Sequence, residues 1–172
     1  MIKDILKLGW LFVVLVFGQI LVLNRIQFSG FVNPYLYVLF VLFLPIGMNR
    51  GLLMLLSFFT GLTIDVFSNT PGMHAGACVL IGFLRPFIIK ALSLREAFNP
   101  ESCPSLAEYG WVWYLKYAVM LVLIHHTFLF FMEQFDHLFM WATLVRILLS
   151  SIASLIFIVV AQYFLPVKIE RR

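Results

Sequence analysis

Apolar runs of roughly span length, separated by short polar breaks, recur from one end of the chain to the other. The first covers about residues 5–23 and ends at Asn24 and Arg25, with further polar positions up to Gly30. A second, shorter and less regular run at about 31–46 carries Pro34 near its start and Pro45 near its end, where proline costs a helix least. Residues 47–50 read as a tight turn. A third run, about 51–67, places Asp65 towards its end, and a loop at 68–74 leads to a fourth run at about 75–92. Inside that run Arg85-Pro86 removes a backbone hydrogen bond and predicts a kink. Runs five and six cover about 111–132 and 139–165, with Glu133, Asp136 and His137 in the brief loop between them. Each full run crosses ~30 Å of hydrocarbon at ~1.5 Å per residue. The pattern predicts an all-α, polytopic membrane protein: one domain over 1–172 with six transmembrane helices and no internal repeat.

Residues 93–110, SLREAFNPESCPSLAEYG, form the one long polar segment, and their two prolines and three glutamates make it a loop with room for a short surface helix. Composition agrees with the pattern: 63% hydrophobic, 12% charged and a mean hydropathy of +1.02 exclude a soluble domain. The first run has a basic start but no small-x-small cleavage pattern, so it reads as a retained helix rather than a signal peptide. Lys3, Lys7, Arg50, Lys90, Arg95, Lys168, Arg171 and Arg172 fall on one side of a six-span arrangement and Arg25 alone on the other. That asymmetry predicts both termini, and the 93–110 loop, in the cytoplasm. Trp111, Trp113, Tyr114 and Trp141 fall where interfacial aromatics belong. The net charge of +4 is accounted for by these helix-end positions and asks for no nucleic-acid partner. Cys78 and Cys103 fall at different depths and are not expected to form a disulfide.

The carboxylate of Asp65 is costly inside an apolar run. Ser57, Gly61 and Asp65 are spaced four apart and share one helix face, where small residues admit a neighbouring helix. Cys78 with Gly82, and Ser150 with Ser154, offer similar faces on the fourth and sixth runs. Asp65 falls near the outer end of its run and Arg146 roughly 10 Å inside the outer end of the sixth. With His125 and His126 in the outer half of the fifth run, these positions predict a polar cluster of Asp65, Arg146 and one histidine. Asp65 could instead cap the following turn with Ser68 and Asn69, and Arg146 and Lys116 could snorkel to the interface. Adjacent histidines point ~100° apart, so His125 and His126 read as a polar packing element rather than a metal site. Arg85, near mid-depth, needs a partner or water. There is no GxSxG, HExxH, CxxC or P-loop, so neither catalysis nor a cofactor is expected.

The stretch GLTIDVFSNTPGMHAGACVLIGFLRP, a G-L-x-x-D pattern followed by Pro-Gly, a small residue and an apolar helix ending in Arg-Pro, resembles the rod shape-determining protein MreD family. Chain length, apolar spans and the short basic tail are similar to that family as well. The resemblance singles out Gly61, Asp65, Gly72, Arg85 and Pro86. It implies a non-enzymatic inner-membrane component of the elongasome, the machinery of side-wall peptidoglycan synthesis and rod shape. It also implies a fold similar to the substrate-binding membrane subunits of energy-coupling-factor transporters. The implied partners are membrane lipid and MreC, and indirectly MreB, RodA and its partner transpeptidase; the small-residue face near Asp65 is the expected seat of the MreC helix. The alternative is a vitamin-binding subunit of such a transporter. These subunits usually present an AxxxA pattern, and the first run here contains no alanine.

Overall fold

The computed structural model describes residues 2–25, 32–92, 99–134 and 140–164, and all of their regular elements are helices. They are α1 (Ile2–Leu21), followed by a 3-10 turn at Leu23–Arg25, α2 (Val38–Phe43), α3 (Arg50–Ser68), α4 (Met73–Leu92), α5 (Leu106–Glu133) and α6 (Met140–Phe164). Five of these helices are long and apolar enough to cross a membrane. Arg95, Asp136, His137, Lys168, Arg171 and Arg172 lie outside the described residues.

The second predicted span is where sequence and structure part. Of the described residues 32–46 only Val38–Phe43 are α-helical, and every residue from 37 to 44 is buried. An apolar helix buried all round is a core element, and here α1, α3, α4 and α5 all pack against α2. The stretch nevertheless carries the chain from one end of the bundle to the other. At one end the Asn24 amide donates to Ser68 Oγ at 3.2 Å, which sets the C-terminal ends of α1 and α3 side by side. At the other, the Gly47 and Ile46 N–H groups bond to the Pro100 and Ser102 carbonyls ahead of α5. The remaining helices follow as an antiparallel series, α3 on α4, α4 on α5, α5 on α6.

Non-helical backbone at this depth must find its hydrogen bonds inside the protein. Gln19 of α1 donates through Nε2 to the Pro34 carbonyl at 3.0 Å and accepts the Leu36 N–H at 2.7 Å. Ser150 and Ser154 of α6 accept the N–H groups of Asn33 and Tyr35 at 3.1 and 2.8 Å. At the end of α2 and just past it, Arg85 donates to the carbonyls of Leu42, Leu44 and Pro45. The small-residue face predicted on α6 therefore seats extended backbone.

Local signals explain the helix ends. Asn49 Oδ1 accepts the N–H groups of Gly51 and Leu52 at 2.9 and 3.3 Å and starts α3. Asn69, left-handed at φ 55°, ends it. Ser105 caps α5 through the Glu108 N–H at 3.2 Å. Helical residues thus begin inside the predicted 93–110 loop, and non-helical backbone at Gly110 separates them from the main run starting at Trp111. α4 remains helical through Pro86, with the Gly82 carbonyl deprived of its usual N–H donor. Cys78 and Cys103 are both buried and not joined to each other.

Candidate functional site

The motif residues converge on the α3–α4 hairpin. Thr70-Pro71-Gly72-Met73 has the arrangement of a type II turn, with the Met73 N–H on the Thr70 carbonyl at 3.3 Å and Gly72 at φ 84°. A left-handed φ at that position is what requires glycine. The turn brings the start of α4 back over Asp65. Its Oδ1 accepts the His74 N–H at 3.0 Å and its Oδ2 accepts the Ala75 N–H at 2.9 Å. These are two of the donors that a helix N-terminus leaves without an intrahelical partner, and a carboxylate there also meets the positive end of the helix dipole. Thr70 Oγ1 donates to Oδ1 at 3.0 Å, and His74 Nδ1 lies 3.0 Å from the same oxygen. Asp65 is 3% exposed, and this set of partners is what makes its burial tolerable.

The same face of α3 is the close-packing one. A Cβ at Gly61 would lie 2.5 Å from the backbone N and Cα of Ala75, and a Cβ at Gly82 would lie 2.5 Å from Ser57 Oγ. Ser57, Gly61 and Asp65 thus lie against α4, with Ser57 seated on Gly82. The expectation of an open face here is corrected on that ground: α4 of the same chain occupies it.

The predicted cluster of Asp65 with Arg146 and His125 or His126 is also corrected. Arg146 forms a two-pronged pair with Glu133 at 3.1 and 3.3 Å, and its guanidinium carbon stands 4.4 Å from the centre of the Phe130 ring. It is drawn to the nearer carboxylate, at the end of the adjacent helix. His125 Nε2 lies 2.9 Å from the Tyr37 hydroxyl, and His126 Nε2 lies 3.0 Å from Ser154 Oγ. The histidine that Asp65 meets is His74, which the turn delivers. A sheath of rings links the three, with Tyr35 at 5.5 Å from His74, 6.1 Å from His125 and 5.3 Å from His126, centre to centre.

His126 has the hydrogen bonds of a serine–histidine pair, its Nδ1 on the Val122 carbonyl at 2.9 Å and its Nε2 on Ser154. Both residues are fully buried, and Ser154 Oγ already accepts the Tyr35 N–H, so the pair ties α5 to α6 and to the second crossing. No group of three metal-ligating side chains occurs among the described residues.

Arg85 occupies a separate place. It is fully buried and makes no ion pair among the described residues. Nε donates to the Tyr117 hydroxyl at 2.7 Å, and Nη1 and Nη2 serve the carbonyls of Leu42, Leu44 and Pro45. Tyr117 in turn donates to the Leu42 carbonyl at 2.8 Å and stacks on Trp113 at 5.2 Å. The planar fork of arginine can reach several carbonyls at once, which a lysine cannot.

Gln19, Tyr37, His74 and Tyr117 were not singled out by sequence reasoning, and Glu133, expected in the loop after the fifth run, is the last residue of α5. The available signal was polarity inside an apolar run for Gln19, and a position just after Pro-Gly for His74.

Comparisons with protein-family models, with curated proteins and with solved structures find no match to this chain.

Proposed function

We propose that the protein is a non-enzymatic scaffold of the elongasome in the bacterial inner membrane, similar to MreD, that binds MreC and supports rod shape and side-wall peptidoglycan synthesis. In this reading MreB, RodA and its partner transpeptidase are reached indirectly. The chain crosses the membrane six times with both termini cytoplasmic, the second crossing being the broken one around α2, in a fold similar to energy-coupling-factor substrate-binding subunits.

One observation carries the reading. The residues that hold the resemblance serve a single mechanical purpose: Gly61 lets α3 and α4 touch, Gly72 turns the chain, and Asp65 caps the returning helix. Arg85, on the same hairpin, fastens the broken crossing. A carboxylate committed to two backbone N–H groups, a hydroxyl and an imidazole is placed to hold shape rather than to move protons. The outward faces stay apolar, as with Leu55, Phe59 and Val66 on α3 and Leu148, Ile152 and Ile156 on α6, and are left for lipid and for MreC. Interhelical polar contacts in lipid contribute only about 0.6–2 kcal/mol each, so MreC affinity has to come from packing along such a face. Depletion in a rod-shaped host tests the reading: cells are expected to round, and cells that stay rod-shaped after clean deletion would contradict it.

The transporter-subunit alternative is favoured by one feature, a cavity of about 320 Å³ at the Asn24 end of the bundle. High-affinity vitamin uptake dependent on this chain would support it.

A further inference from the structure

The cavity just mentioned has a wall whose chemistry selects its occupant. Its polar lining residues include Asn24, Asn33, Ser68 and His74, beside apolar ones such as Phe67 and Leu129. Among the described residues, lysine and arginine are absent from its lining. A phosphate or carboxylate there would meet Glu133 and, behind His74, Asp65. A cationic group would compete with Arg146, which already holds Glu133 at 3.1 Å. An apolar group would leave the second ring nitrogen of His74 without a partner. A neutral, hydroxyl-rich group suits the wall, because amides and hydroxyls both donate and accept.

His74 supplies a second, independent observation. Its Nδ1 is engaged by Asp65 and Thr70 at 3.0 and 2.9 Å, while its Nε2 has no hydrogen-bond partner among the described residues. The residue is only 4% exposed and lines the cavity, so one ring nitrogen is left for a ligand hydroxyl. The volume lies at the low end of the ~300–1,000 Å³ range of ligand pockets and suits a single sugar ring.

We propose that this cavity binds a neutral polyhydroxylated group of about one sugar ring, free or as the headgroup of a glycolipid, through Asn24, Ser68 and His74. The site stands on the cavity alone and is independent of the scaffold reading.

The test uses the full chain in phosphatidylglycerol nanodiscs, avoiding sugar detergents. One arm adds methyl glucoside and reads saturation-transfer NMR. The other dopes the disc with monoglucosyl diacylglycerol and reads retained lipid by native mass spectrometry. Ser68→Trp fills the cavity, and Asn24→Leu removes an amide at nearly constant volume; thermal unfolding identifies whichever variant is folded. The expected result is sugar bound in at least one arm, at least tenfold weaker in a folded variant, and the arm that responds identifies the source. Binding in neither arm, or binding unchanged in a folded variant, overturns the proposal.

Discussion

Asp65 accepts the backbone N–H of Ala75 at 2.9 Å, closing the Pro-Gly turn across ten residues of chain. The carboxylate at the end of α3 thereby becomes the cap of α4. Asp65→Asn puts an amide N–H against a backbone donor at one of the two capped positions. Leaving such a buried donor unsatisfied costs about 1–3 kcal/mol, so a clear fall in unfolding temperature in detergent is expected. Unfolding unchanged from wild type would show that the cap contributes little.

Close approach of α3 and α4 gives a sharper test. Gly61→Ala drives a methyl into the Ala75 backbone, which cannot turn aside, and overpacking of this kind costs about 1–3 kcal/mol. Gly82→Ala meets the Ser57 hydroxyl instead. Its cost is expected to shrink when Ser57→Ala is added, with a coupling of about 0.5–3 kcal/mol from a double-mutant cycle. Additive effects would mean that the two side chains do not share that space.

Much of this was legible in the residues. Five apolar runs became helices because each keeps a lipid-facing and a protein-facing side. The run at 31–46 misled because a segment buried all round carries no periodicity to separate a helix from extended backbone, although Pro34 and Pro45 bracket the break. Asp65 was legible as a packing position, but not its partners. Depth along a helix ranks side chains such as Arg146, whereas the groups that Asp65 meets are mostly backbone N–H groups returned by the turn. The ligands of Arg85 were hidden for the same reason: carbonyls have no sequence signature.

Arg85→Met strands the Leu44 carbonyl, while Leu42 keeps the Tyr117 hydroxyl and Pro45 keeps the Met48 N–H. With one buried carbonyl left unpaired at about 1–3 kcal/mol and the bonds to Tyr117, Leu42 and Pro45 lost as well, it is expected to destabilise more than Tyr117→Phe, with Arg85→Lys recovering only part. Tyr117→Phe removes fewer bonds and is expected to cost about 0.5–1.5 kcal/mol. Recovery of folded protein after detergent extraction, ranked across the three, checks the order.

Topology yields to labelling. Asn69 and Pro100 lie at opposite ends of the bundle and are both exposed. Asn69→Cys is expected to react with a membrane-impermeant maleimide on intact spheroplasts, and Pro100→Cys only after permeabilisation. Cys78 and Cys103 are buried and should contribute little background. Equal reactivity of both positions before permeabilisation would refute the assigned orientation.

Co-purification with MreC tests the central claim most directly. The two proteins are co-expressed, extracted in mild detergent, and captured through a tag on this chain. A scaffold built as described retains MreC at comparable amounts through size-exclusion chromatography. Folded, monodisperse protein recovered without MreC would contradict it.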